Sequence, residues 1–191
     1  MSALPQSQPN AQQPLELFFE SCIHNVFAGQ LGLYDPPIER YLAGVLTEFT
    51  HTDRLYKIRD ERGKPIHSVD ALIHASDPVH GTATSFDSER RIRKHIGDYT
   101  LFLTGMYPES LGKYYRRRHA HDSKVTYKDL VSTGKESYYI VSQFNLYEYE
   151  QEAPLFARLS DWFERCTQGL AIVRQEMSRK RMHLLPPPVE G

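Results

Sequence analysis

Arg91, His95 and Asp98 follow one another at spacings of four and three within "RIRKHIGDYTLFLTG", residues 91–105. On a helix that spacing lays them in one strip. A carboxylate one turn from an imidazole can orient the ring for proton transfer, which makes His95 and Asp98 the catalytic candidates of the chain. The same pair is what a structural histidine needs, and a buried polar link to another helix is the favoured reading. Around the strip lie the cations Arg90, Arg91, Arg93 and Lys94. They fall in the first turns of the helix, where the macrodipole is positive and disfavours them. One reading is a solvated face with partners at helical spacing: Asp87 for Arg90 and Arg91, Glu89 for Arg93, Asp98 for Lys94. The other is a surface for an anion or an acidic partner.

The most basic region is "GKYYRRRHAHDSKVTYKDL", residues 112–130. Six cations (Lys113, Arg116, Arg117, Arg118, Lys124, Lys128) face two carboxylates (Asp122, Asp129), a net of +4. Tyr114, Tyr115 and Tyr127 interleave with them. Basic and aromatic residues together suit single-stranded nucleic acid. No recognised nucleic-acid motif is present, and the chain's formal charge of −1 gives no global field toward polyanions. A solvated loop or an acidic protein partner therefore ranks ahead of nucleic acid binding through 112–128. His119 and His121 could present two imidazoles to a metal, but ligation needs at least one further ligand and the adjacent arginines oppose a cation. No metal and no cofactor are expected.

Other signatures are missing. There is no GxSxG, P-loop or GxGxxG, and no repeated Glu-x-x-His of the di-iron carboxylate bundles. The two cysteines, Cys22 and Cys166, fall on apolar helix faces without CxxC or Cys/His spacing, as reduced core thiols of a cytoplasmic protein would. The start, "MSALPQSQPNAQQP", lacks the basic and apolar segments of a secretory signal, and no apolar run approaches the roughly 20 residues of a membrane span.

The elements that must carry these residues are helical. The 191 residues are 40% hydrophobic and 25% charged, ordinary for one globular domain. Residues 1–13, rich in Gln, Pro and Ser, are expected to be a disordered tail, and 184–191, with "PPP", a flexible one. The domain between, 14–183, reads as six helices. The first opens at Pro14 and turns Leu15, Phe18, Phe19, Cys22, Ile23 and Val26 inward. The second is capped by Asp35, opens at Pro36 and repeats Ile38, Tyr41, Leu42, Val45, Leu46 and Phe49 at helical spacing. Residues 55–66 form a small hairpin or loop around Gly63, and Ser68 caps a short helix, "VDALIHA".

The fourth helix runs from about Phe86 to Thr104, with Ile92, Ile96, Tyr99, Leu103 and Met106 as its core stripe and His95 and Phe102 flanking it. The pattern places a short helical piece at "PESLGKYYR". The fifth opens with a capping box, Thr126 and Asp129, and runs to about Tyr147 with Tyr127, Leu130, Val131, Tyr138 and Val141 inward. The sixth runs from Pro154 to about Met182, its seam built by Leu155, Leu159, Trp162, Cys166, Gly169, Val173 and Met177. Gly97, Gly105 and Gly134, with Ser137, are small residues expected to permit close helix packing.

The pattern predicts an all-α fold: a single-domain antiparallel bundle of about five or six helices with one small hairpin near 55–66. "GDYTLFLTG" and "GKESYYIVSQF" resemble parts of a bacterial family, a resemblance that carries no function with it. Two functional classes follow. The first is a non-enzymatic interaction or regulatory protein, meeting a protein partner or its own copy through Arg90, Arg91, Arg93, Lys94, Tyr114, Tyr115, Arg116, Arg117 and Arg118. The second is an enzyme or small-ligand binder with an internal polar pocket around Arg91, His95 and Asp98. A connected buried cavity would favour the second; a solid core with an exposed aromatic patch would favour the first.

Overall fold

The computed structural model describes residues 12–108 and 126–182. Among them are eight α-helices: α1 (Gln12–Phe27), α2 (Pro36–Glu48), α3 (Thr52–Leu55), α4 (Val69–Ser76), α5 (Phe86–Met106), α6 (Tyr127–Gln143), α7 (Ala153–Asp161) and α8 (Phe163–Arg179). A 3₁₀ turn, Tyr147–Tyr149, stands between α6 and α7. The described residues contain no strand; one isolated antiparallel bridge, Arg59–Pro65, closes the small hairpin around Gly63, whose φ of 75° suits glycine. No described helix is long and apolar enough to cross a membrane.

Side-chain caps set four of the helix starts. The Asp35 carboxylate accepts from the Ile38 amide at 3.2 Å, Ser68 accepts from Ala71, and Ser85 accepts from Ser88. At α6 both halves of the capping box form: the Asp129 amide donates to Thr126 Oγ1 at 3.2 Å and the Thr126 amide donates to the Asp129 carboxylate at 2.6 Å.

The central element is α5, packed most extensively on α6 and also on α8 and α4. Ile92, Ile96, Tyr99, Phe102, Leu103 and Met106 are all buried. The small residues make the close approaches. At Gly97 a Cβ would come within 2.5 Å of the Tyr138 ring, at Gly105 within 2.7 Å of Leu170, and at Gly134 it would collide with the Phe163 ring.

Three features differ from the expectations. The sixth helix is two: it breaks at Trp162, which ends α7 and begins α8. Phe163, fully buried, takes the seam position between Leu159 and Cys166, because its ring lies against the bare backbone of Gly134. Trp162 is left half-buried beside Arg165. The fifth helix stops at Gln143 rather than near Tyr147, and Tyr127 at its start is exposed rather than inward. A one-turn helix, α3, follows α2. Helix α1 begins at Gln12, two residues before the expected Pro14, so Gln12 and Gln13 are helical rather than part of the tail; the rest of the expected tails and the helical piece after Pro108 lie outside the described residues.

Candidate functional site

Asp98 sits at the junction of three helices and is 1% exposed. Tyr41 on α2 donates its hydroxyl to Oδ1 at 2.5 Å, and Tyr138 on α6 donates to the same oxygen at 2.8 Å. Lys94, one turn back on α5, reaches Oδ2 at 3.1 Å. Burial opposes the charge on Asp98, but Lys94, the Tyr41 hydroxyl, Lys57 and the Tyr138 hydroxyl outweigh it and hold the carboxyl below its ordinary value. The two phenols move the other way: burial, then the Asp98 charge, pushes both well above the usual tyrosine range. The cluster is thus one carboxylate, one ammonium and two neutral hydroxyl donors, with complementary roles.

His95 does not join it. Its ring stacks on Tyr99 at 6.0 Å between centroids and meets Phe49 edge-on at 5.9 Å. Nδ1 is buried without a hydrogen-bond partner. Burial, with Lys57 and Lys94 nearby, lowers its pKa to about 3, so the ring is neutral at physiological pH. The strip of Arg91, His95 and Asp98 therefore divides: Arg91 faces solvent, His95 packs among aromatic rings, and Asp98 binds tyrosines.

The four cations of α5 also divide. Arg90 is 7% exposed; its Nη2 donates to Glu152 at 2.6 Å, and its guanidinium lies 3.9 Å over the Tyr149 ring. Tyr149 in turn donates to Asp87 at 2.8 Å. Arg90 thereby fastens the segment between α6 and α7 onto the start of α5. Arg91 is exposed, Arg93 is partly buried over α4, and Lys94 pairs with Asp98, the one expected helical-spacing pair that forms. Arg116, Arg117, Arg118, Tyr114, Tyr115, His119 and His121 lie outside the described residues.

Among the described residues no group of three or more His, Cys, Asp or Glu side chains is placed to hold a metal ion. Glu48 and His51 form the chain's single Glu-x-x-His, but Glu48 pairs with Lys57 at 2.9 Å and His51 is exposed. Cys166 is buried, and burial pushes its thiol up to about 12, far from a reactive thiolate.

A second region lies at the surface where α5 begins. Phe86, Asp87 and Glu89 from α5, Ile140, Gln143 and Phe144 at the end of α6, and the turn Asn145–Tyr149 line a mainly apolar groove of 730 Å³. Phe86 is 78% exposed, Leu146 67% and Tyr147 88%. Phe86 meets the partly buried Phe144 edge-on at 6.1 Å, which ties the exposed ring to the end of α6. Tyr147 has a φ of 55°, the left-handed region that a bulky residue seldom occupies, and its ring is turned into solvent. The linkage of Arg90 to Glu152 and Tyr149 holds this turn in place. The groove's signal in the sequence is "QFNLYEYE", an aromatic run that directly continues α6 and is therefore masked by that helix's pattern.

Comparisons with protein-family models, with curated proteins and with solved structures find no match for this chain.

Proposed function

We propose that this chain is a non-enzymatic interaction protein, a cytoplasmic antiparallel helical bundle that receives a protein partner in the groove between the start of α5 and the 145–149 turn. The observation that carries this reading is the grouping of Phe86, Leu146 and Tyr147, each at least two-thirds exposed, on one 730 Å³ groove. Single exposed apolar residues are ordinary, whereas a contiguous apolar patch marks an interaction surface. Its size is that of a binding cleft, roughly 300–1,000 Å³.

The enzyme or small-ligand reading around Arg91, His95 and Asp98 has less support. Asp98's oxygens are occupied by Tyr41, Tyr138 and Lys94, and the backbone of Gly97 lies against the Tyr138 ring. The described grooves are not lined by Asp98 or His95. A polar cluster with that geometry serves to fix α2, α5 and α6 in register.

The test is affinity capture from the native cell with the full chain and with Leu146→Ser/Tyr147→Ser. Both side chains are exposed, so the variant folds. A partner retained by the first and lost from the second supports the reading. Identical captured proteins from both, or a chromophore in the absorption spectrum of the purified wild type, contradicts it.

A further inference from the structure

We infer that the groove takes a cationic amphipathic segment of a protein partner, one that offers apolar side chains to Phe86 and Leu146 and Lys or Arg side chains to the rim. This rests on the groove being the docking surface and adds the chemistry of its occupant. The residues lining the groove include three carboxylates, Asp87, Glu89 and Glu148, and no Lys, Arg or His. Two of these acids stand in the first turn of α5, where the helix dipole favours them. The dipole does not explain Glu148, which lies outside any α-helix, nor exposed Glu150 just beyond it.

The nearest cation of α5, Arg90, does not neutralise the rim. It points inward and is engaged by Glu152 and the Tyr149 ring. Asp87 accepts from the Tyr149 hydroxyl at 2.8 Å and has no cation as its partner there. Among the described residues, the groove is therefore an apolar floor with a negative edge that carries no cation in its lining. That edge repels nucleic acid and anionic lipid headgroups. It attracts a segment whose Lys or Arg residues flank Leu-like residues, and such complementarity supplies specificity and encounter rate.

The experiment measures fluorescence anisotropy of three labelled peptides of equal length and equal leucine content, with Lys, Gln or Glu at the polar positions, titrated with the full chain at low salt. The Leu/Lys peptide is expected to bind best. Glu89→Gln/Glu148→Gln should weaken it about tenfold, since two carboxylates are removed from the rim and surface ion pairs are individually weak. Salt near 0.15 M should produce a similar loss, because it screens exposed charges beyond about 8 Å. Leu146→Ser should weaken all binding, while Glu164→Gln, a carboxylate on α8, should change nothing. Equal or stronger binding of the Leu/Gln or Leu/Glu peptide, absence of binding, or insensitivity to the rim variant overturns the inference. So does sedimentation showing that a second copy of the chain occupies the groove. If partner capture still depends on Leu146 and Tyr147 when the peptides fail, the docking reading stands and only the cationic chemistry falls; loss of both removes both.

Discussion

Asp98 carries a charge into the interior and is held there by donors from three helices. Its worth can be measured. Asp98→Ala leaves the Tyr41 and Tyr138 hydroxyls without their acceptor and should cost about 2–4 kcal/mol in urea unfolding. Asp98→Asn keeps the shape but not the charge, and should fall between the two. His95 predicts a pH dependence with a definite sign. Its folded value is about 3, against an ordinary value of 6.5. Between these pH values the unfolded chain binds a proton that the folded chain does not, so stability falls as pH falls. The full contribution is present above pH ~6.5, and about 2 kcal/mol should be lost by pH ~5. His95→Phe, which keeps an aromatic ring between Phe49 and Tyr99, should flatten that limb. The depressed Asp98 acts in a lower window: its contribution is present above the ordinary Asp value of ~3.9 and is lost as pH falls through its folded value. A urea midpoint that stays constant from pH 7 to 5 in the wild type would refute the account of His95.

At the scale of elements, the bend at Trp162 decides which aromatic residue carries α7 and α8. Phe163 is fully buried against Gly134, whereas Trp162 is half-buried at the bend. Phe163→Ala should cost about 3–5 kcal/mol. Trp162→Ala opens no closed cavity and should stay within about 1.5 kcal/mol. The reverse order in thermal melts would show that the helix runs straight through. Gly97→Ala gives a related test: alanine favours a helix by about 1 kcal/mol over glycine, but its Cβ would meet the Tyr138 ring at 2.5 Å. The expected result is a net loss of about 1–3 kcal/mol. Helix starts were legible in the sequence because caps are local: Asp35, Ser68 and the Thr126–Asp129 box each reach only three residues. The core stripe of α5 was legible through its periodicity. The bend and the early end of α6 were not, because distant residues set them. Gly134 makes room for Phe163, and Arg90 captures Tyr149 and Glu152.

At the scale of the whole molecule, Asp98 and Arg90 turn inward and join elements, while the groove proposed to receive a partner is apolar with an acidic edge. Arg90 links the two. Seen along the chain, it is one of four adjacent cations; in the fold it is buried against a segment some sixty residues away, with a sequence separation of 62 to Glu152. No periodicity or charge count reports such a pairing. The same holds for Tyr41, whose role depends on Asp98, 57 residues on. Arg90→Gln should therefore act at a distance. It should release the 145–149 turn, raise amide exchange there, and weaken partner capture although Arg90 itself is not offered to the partner. The Phe86–Leu146–Tyr147 groove is the proposed meeting place of this protein with another. Its most direct test is a photo-crosslinking amino acid at Leu146, irradiated in the native cell, with the same group at exposed Gln168 on α8 as the reference position. The account predicts a discrete crosslinked product from position 146 that is absent from position 168. No product at 146, or the same products at both positions, would contradict it.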